Sequence, residues 1–266
     1  MNVSGNLKKM RTTAQREVNY HLRLDDQEIL LNELIGKSIQ LIFQDEIHCP
    51  NCSTQVNKLY QGYCYDCFST APEASECILK PELCLAHEGK GRDVEWEKSH
   101  HDQPHYVYLA LTSALKVGVT RDTQVPTRWI DQGAWRVVKL AKTPYRQLAG
   151  KIEVALKQHL TDKTAWQAML KNESLDGLDL LSEKQRIAAL LPDDLKGYVC
   201  EEDDVYQFNY PVFAYPEKVK SLKLDKEPEI KGRLIGVRGQ YLIFDKNRVI
   251  NIRSHAGYRV NFAVND

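Results

Sequence analysis

The first 48 residues carry short apolar runs whose length and alternation are typical of strands. These runs are VNYHLRL (18–24), ILLNELIG (29–36) and SIQLIF (38–43), and the last has apolar residues on both sides of the pleat. We therefore predict two to four strands and define residues 1–48 as an N-terminal β-rich segment.

From His105 the pattern mixes the periods of strands and helices. HYVYLAL, ALKVGVT and WRVVKLAKT predict strands, PTRWIDQGA predicts a short helix, and AWQAMLK and SEKQRIAALL predict further helical turns. The run YRQLAGKIEVALKQHL places Leu148, Ile152 and Leu156 at helical spacing. This order of elements is typical of an α+β domain, which we assign to residues 105–195.

The tail is rich in predicted strands again, and we define residues 196–266 as a C-terminal β-rich domain, a small barrel or meander. FNYPVFAY, GRLIGVRGQYLIFD, RVINIRS and YRVNFAV are separated by turn residues. Two segments share a similar pattern of apolar residues, which suggests that they are paired strands of one sheet. They are ELIGKSIQLIF near the N-terminus and RLIGVRGQYLIF in the tail. Residues 218–266 contain eleven Lys and Arg against five Asp and Glu, a net charge of +6. This bias is compatible with nucleic-acid contact and equally with a solvated strand face.

Composition narrows the class of protein. The chain has 36 basic and 36 acidic residues, so no global basic field indicates a nucleic-acid partner. No stretch approaches the roughly 18 apolar residues of a membrane span, and the first residues lack a secretory signal, so we expect a cytoplasmic protein. Disulfides are improbable in that compartment, and the seven cysteines need another explanation. Cys200 stands apart from the others and is read as a core or surface thiol.

Two CxxC pairs, Cys49 with Cys52 and Cys64 with Cys67, are separated by eleven residues. This spacing is typical of a zinc ribbon or knuckle, in which backbone N–H groups face the thiolates and four sulfurs surround one tetrahedral ion. We predict a structural zinc ion here, within a zinc-binding module of residues 49–104. Because the shell is closed, it has no catalytic role. A redox function for one pair is disfavoured, since the second pair is well placed to share a metal.

A second zinc ion is predicted further along the same module, with looser spacing. Cys77 and Cys84 supply two thiols, and His101 and His105, with three residues between them, supply two imidazoles. His87 is a rival fourth ligand. The alternative is that Cys77 and Cys84 are packed thiols and that His87 and His100 are surface side chains.

The stretch from Tyr106 to Leu160 resembles the GIY-YIG nuclease superfamily. In that family two short strands carry the GIY and YIG motifs, an arginine lies on the next helix, and a glutamate on a later helix binds one divalent metal ion. The resemblance implies a small mixed sheet with flanking helices. The matching residues are Tyr108 as the first tyrosine, Lys116 and Gly118 in the second motif, Arg128 as the arginine and Glu153 as the metal ligand.

This resemblance implies a metal-dependent nuclease or phosphodiesterase acting on DNA or RNA, with magnesium or manganese at Glu153. The sequence departs from the family at Lys116, where the second tyrosine is expected. The alternative is therefore a zinc-dependent binding module for nucleic acid or protein with a degenerate nuclease fold. Phrases such as PELCLAHEG, VPTRWIDQGAW, AGKIEVALK and DKTAWQAML also resemble an uncharacterised bacterial family that is known only as a domain of unknown function.

Overall fold

A computed structural model describes residues 1–160, 165–173, 175 and 177–265. The remaining positions fall in the predicted domains 105–195 and 196–266, and the run DKTAWQAML begins among them, outside the described residues. The chain divides into two compact units. The first contains Met1–Phe68, Leu170–Asn172 and the chain from Phe208 onward, and the second contains the described residues of 69–169 and 173–207.

The described strands and helices follow an order close to the predicted one, with strands at both ends of the chain and most of the α-helices in its middle part. The described strands are β1 (Asn2–Thr13), β2 (Asn19–Leu24), β3 (Gln27–Leu30), β4 (Ser38–His48), β5 (Gln55–Val56), β6 (His105–Leu111), β7 (Leu115–Arg121), β8 (Arg136–Thr143), β9 (Val205–Gln207), β10 (Lys220–Ser221), β11 (Glu229–Arg238), β12 (Tyr241–Phe244), β13 (Arg248–Asn251) and β14 (Tyr258–Asn265). The described α-helices are α1 (Tyr65–Thr70), α2 (Val94–His101), α3 (Thr127–Asp131), α4 (Arg146–Leu156), α5 (Trp166–Leu170), α6 (Leu180–Ala189) and α7 (Asp193–Lys196).

The first unit is built on one ten-stranded sheet to which both ends of the chain contribute. Its strand order is β10-β13-β12-β11-β4-β14-β1-β2-β3, with β5 paired to β4. β14 lies between β4 and β1 and is antiparallel to both. The two similar segments lie in one sheet, as suggested, and β4 pairs with β11, but Arg233 opposite Ser38 is the one pair of this ladder that joins the two segments. The two ends of the chain therefore depend on each other for their hydrogen bonds, and two runs of consecutive strands, β1–β3 and β11–β13, form meanders.

Two strand predictions in this unit differ from the structure. β1 was not predicted, because its buried side chains Leu7 and Met10 lie on either side of a register irregularity and break the alternation. The run FNYPVFAY, predicted as a strand, contains only one isolated bridge, between Val212 and Gly236. Pro211 has no N–H to donate to a ladder, and Phe213 is largely exposed, so this run does not extend the sheet.

The second unit has a four-stranded sheet in the order β7-β6-β8-β9. The three pairings are all antiparallel, so the predicted mixed sheet is wrong in this respect, whereas the α+β class is confirmed. Every residue of β6 is buried, which explains its nearly continuous apolar run. Helix α4 contributes Leu148, Ile152 and Leu156 to the core formed with this sheet. Among the described residues, no helix is both long and apolar enough to cross a membrane.

Candidate functional site

The four cysteines of the two CxxC pairs meet in the first unit. Their sulfur atoms all lie within 4.8 Å of one another, and the Cys52 and Cys64 sulfurs are 3.7 Å apart. A tetrahedral ion with zinc–sulfur bonds of about 2.3 Å would separate its sulfur ligands by about 3.8 Å. The observed arrangement therefore fits one tetrahedral zinc ion, and the four cysteines could hold it.

Backbone and side-chain donors surround these sulfurs. The N–H of Cys64 donates to the Cys49 sulfur at 3.3 Å, and the N–H of Cys67 donates to the Cys64 sulfur at 3.4 Å. The amide of Asn51 donates to the Cys67 sulfur at 3.3 Å. Hydrogen bonds with Thr54 lower the pKa of Cys52 to about 6. Each of these donors favours the thiolate form of the sulfur that accepts its hydrogen bond, and the thiolate is the form that binds metal. The neighbouring cysteine sulfurs and burial act in the opposite direction and raise the pKa of Cys64 and of Cys67.

A second group of ligand-type side chains lies in the second unit, and it differs from the predicted set. Cys77, Cys84, Glu97 and His101 are all buried, and their ligand atoms lie within 4.8 Å of one another. The hydrogen bond with Cys77 lowers the pKa of Cys84 to about 7. Glu97 and His101 are one turn apart on α2, so their side chains share a face of that helix. Helix α2 begins at Val94 and is capped by Asp93, whose carboxylate accepts from the N–H of Trp96.

The two other histidines proposed for this site lie outside the group, which is a correction to the predicted ligand set. The Nδ1 atom of His105 is 2.7 Å from the carbonyl oxygen of Gln103, and burial lowers the pKa of His105 to about 3. The ring of His87 stacks on that of Tyr145, with centroids 4.1 Å apart. The Nε2 atom of His105 is buried and has no hydrogen-bond partner among the described residues, but the ligand atoms that lie within 4.8 Å of one another come from Cys77, Cys84, Glu97 and His101. Glu97 therefore stands in the fourth position. The spacing of three residues between Glu97 and His101 is the same as between His101 and His105, so it did not distinguish them.

Four of the five residues that match the GIY-YIG motifs line one cavity of about 170 Å³ in the second unit, namely Lys116, Gly118, Arg128 and Glu153. Lys116 and Gly118 are two residues apart on β7 and therefore face the same side of the sheet. Arg128 reaches the cavity from α3 and Glu153 from α4. The cavity is also lined by Ile78, Leu79, Pro81, Val119, Gln132, Arg146 and Lys157.

Tyr108 lies beneath this cavity and is fully buried. It is the cross-strand partner of Gly118, so the tyrosine ring occupies the space that a side chain at Gly118 would fill. Its hydroxyl donates to Oε1 of Gln132 at 3.0 Å. Burial raises the pKa of Tyr108 to about 12, partly offset by the positive charge of Arg128.

The lining of this cavity carries an excess of positive charge. Four of its lining side chains are basic, namely Lys116, Arg128, Arg146 and Lys157, against the single carboxylate of Glu153. The Nζ atom of Lys157 lies 3.7 Å from the Glu153 carboxylate. An excess of positive charge on a concave surface favours an anionic ligand, and arginine is suited to bidentate contact with phosphate.

Sequence reasoning did not assign Gln132, Arg146 or Lys157 to the site. A signal was present for two of them, since Arg146, Glu153 and Lys157 occur at intervals of seven and four residues, which places them on one face of α4. Gln132 follows the last turn of α3, and only the fold reveals that it meets the Tyr108 hydroxyl.

A protein-family model matches residues 36–260, well over half of the chain. The chain belongs to the DUF2797 family. That family is described as a protein of unknown function. The part of the chain that matches DUF2797 contains both clusters of ligand-type residues and the whole cavity. No curated protein and no solved structure matches the chain.

Proposed function

We propose that this chain is a metal-dependent phosphodiesterase that acts on nucleic acid. The observation that supports the proposal is the convergence of Lys116, Gly118, Arg128 and Glu153 on one cavity, with the Tyr108 hydroxyl beneath it. These are the positions that match the GIY-YIG motifs, and they come from three separate elements of the second unit. If these residues matched the motifs only by chance, we would not expect them to meet on one concave, basic surface.

The basic residues account for binding of a phosphodiester. Arg128 offers a planar pair of donors to two phosphate oxygens, and Lys116 and Arg146 add positive charge on the walls of the same cavity. Gly118 lines the same cavity, and its missing side chain leaves space for the Tyr108 ring, whose hydroxyl reaches Gln132 in the cavity wall. As charge develops on the phosphate oxygens in the transition state, Arg128 would stabilise it.

Binding of magnesium or manganese would depend on Glu153, the one carboxylate among the described residues that line the cavity, and on oxygen atoms of the bound phosphate. These ions take oxygen ligands, keep several bound waters and need only one or two carboxylates beside a substrate phosphate. Glu153 is a mostly buried carboxylate in a polar cavity and would hold the ion. When bound, such an ion supplies neutralisation of the phosphate charge.

The proton chemistry follows from the environment of Tyr108. Because burial raises its pKa to about 12, the hydroxyl stays protonated at neutral pH and acts as a donor within the site. Tyr108 and Gln132 therefore orient polar groups in the cavity, and the proton of an attacking water would leave by another route.

This same environment favours a second candidate, a protein that binds nucleic acid without cutting it. A fully buried tyrosine with a raised pKa is a poor proton acceptor, and Lys116 stands where the second tyrosine of the motif is expected. The basic cavity would still bind phosphate, and affinity would fall with salt as bound counterions are released.

Cleavage assays on single-stranded, duplex and branched DNA and RNA, with magnesium or manganese, test the enzymatic proposal. We expect Glu153→Gln to reduce cleavage to the level seen without added metal, and Arg128→Gln to reduce it by about 10² to 10³-fold. Glu183→Gln is the matched control, because Glu183 pairs with Arg186 on α6, away from the cavity lining. Cleavage that survives Glu153→Gln contradicts the proposal. Salt-dependent binding without turnover, weakened by Arg128→Gln, supports the second candidate instead.

A further inference from the structure

The group of Cys77, Cys84, Glu97 and His101 is not used by the proposed reaction. The carboxylate oxygen Oε2 of Glu97 lies 2.8 Å from Nδ1 of His101 and 3.7 Å from the Cys77 sulfur. The Cys77 sulfur is 3.8 Å from the same imidazole nitrogen. With the Cys84 sulfur, these ligand atoms all lie within 4.8 Å of one another. The two separations from the Cys77 sulfur are close to the edges of a tetrahedral metal site, whereas the carboxylate–imidazole distance is that of a hydrogen bond, which a bound ion would replace.

The burial of these four side chains also favours a bound metal ion. Each of the four side chains is at most 8% exposed. A buried carboxylate and buried thiolates are costly unless they are paired or coordinate a metal ion. Two thiols, an imidazole and a carboxylate form a donor set of intermediate softness, which suits zinc in a closed four-coordinate shell.

The surrounding segment has little apolar core to order it. Between residues 72 and 88 the chain forms four short 3-10 turns, and the buried apolar cluster there consists only of Cys77, Cys84 and Ala86. Leu79 and Leu83 point outward and are substantially exposed. A segment of this kind requires another source of order, and metal binding supplies the folding free energy of many such modules.

We propose that Cys77, Cys84, Glu97 and His101 bind one zinc ion, and that this ion holds residues 78–81 in place as a wall of the basic cavity. The zinc site stands on its own evidence, and only its role beside the cavity rests on the proposed function.

The connection to the cavity is made by helix α4. The guanidinium of Arg146 donates to the carbonyl oxygen of Cys77 at 3.0 and 3.1 Å and to that of Ile78 at 3.0 Å. Gly150, one turn further along α4, contacts the backbone of Pro81 and Glu82 directly. The turns that carry the two cysteines therefore pack on the helix that carries the candidate metal ligand of the cavity.

Zinc content of the purified full-length protein tests the proposal. After saturation with zinc and desalting, elemental mass spectrometry should give two zinc ions per wild-type chain, one in Cys52→Ser, one in His101→Gln and none in the double variant. His100→Gln, on the same helix, is the matched control and should retain two. One zinc ion in the wild type and none in Cys52→Ser overturns the proposal, and that result does not depend on the folding of any variant of the second group.

The identity of the fourth ligand needs a separate measurement. We expect cobalt bound to Cys52→Ser to show the visible bands of a tetrahedral ion and a thiolate charge-transfer band, and Glu97→Gln to shift the visible bands. His105→Asn and His87→Gln should leave the spectrum unchanged, and a shift in either of them instead of Glu97→Gln contradicts the assignment of Glu97. Both readouts are independent of cleavage, so failure of the proposed enzymatic function would leave them unaffected.

Discussion

At the scale of single residues, the cavity depends on the absence of a side chain at Gly118. Gly118 leaves space for the Tyr108 ring, and the hydroxyl of that ring then reaches Gln132. A glycine is required here by close approach rather than by an unusual backbone angle. The resemblance to a nuclease motif and the packing requirement therefore select the same residue type at this position.

We predict that Gly118→Ala destabilises the protein and weakens any activity of the cavity. A Cβ atom at this position would lie 2.6 Å from the Tyr108 hydroxyl oxygen and 2.7 Å from its ring carbon Cζ, inside van der Waals contact. Overpacking of this kind costs about 1–3 kcal/mol of the free energy of unfolding. Chemical denaturation monitored by tryptophan fluorescence measures it.

Gly197→Ala is the matched control for this substitution. A Cβ at Gly197 would meet nothing within 4 Å, so the same chemical change should alter the free energy of unfolding by less than about 0.5 kcal/mol. Equal effects at the two positions would contradict the packing argument for Gly118.

At the scale of elements, α4 combines structural and chemical roles on one face. Arg146, Gly150, Glu153 and Lys157 occur at helical spacing, and the opposite side buries Ile152 and its apolar neighbours in the core. The glycine in the middle of this face lets the turn Pro81–Leu83 approach the helix backbone. Gly150 therefore has a low helix propensity but allows the turn to pack closely against the helix.

We predict that Gly150→Ala destabilises the protein, although alanine is the better helix former by about 1 kcal/mol. The new Cβ would lie 2.5 Å from the carbonyl carbon of Pro81 and closer still to the backbone nitrogen of Glu82. Backbone atoms cannot move aside by a rotamer change, so the steric cost outweighs the gain in propensity. Thermal and chemical denaturation test the sign of the change.

The neighbouring substitution Lys151→Ala is its control, since Lys151 is exposed on the same helix. It should change the free energy of unfolding by less than about 0.5 kcal/mol. If Gly150→Ala stabilised the protein, as its higher helix propensity alone would predict, the proposed steric contact between the turn and the helix would be contradicted.

At the scale of the whole molecule, the two units differ in which segments of the chain form them. The second unit is formed almost entirely by one continuous stretch, whereas the first joins residues from both ends. In the first unit β14 supplies hydrogen bonds to β1 and β4, and β11 supplies them to the other edge of β4. Independent folding is expected only where all neighbours of a strand lie within the fragment.

We predict that residues 69–207 expressed alone unfold cooperatively, and that residues 1–68 alone do not. The shorter fragment lacks β11 and β14, so one edge of β1 is unpaired, and β4 keeps only its short pairing with β5 at Ile47 and His48. Circular dichroism during heating distinguishes the two fragments. Addition of residues 208–266 to 1–68 should restore a cooperative transition, and a cooperative transition of 1–68 without them would contradict the dependence between chain ends.

Some of this organisation was accessible from sequence spacing. The two CxxC pairs define a four-sulfur group because each pair is held by a local turn and needs no information from distant parts of the chain. The α+β class, the strands β6, β7 and β8, and helix α4 follow from local periodicity in the same way. The motif residues Lys116, Gly118, Arg128 and Glu153 were identified in order, but their convergence was an expectation until the fold was known.

The remaining features depend on tertiary structure, because they concern residues that meet only after distant segments pack. Glu97 joins Cys77 and Cys84 because of how α2 packs against the turns, and residue spacing favours His105 equally. Arg146 enters the cavity through the packing of α4 on those same turns. The insertion of β14 between β4 and β1 has no local signal, since many strands could satisfy the same hydrogen bonds and only the complete sheet selects among them.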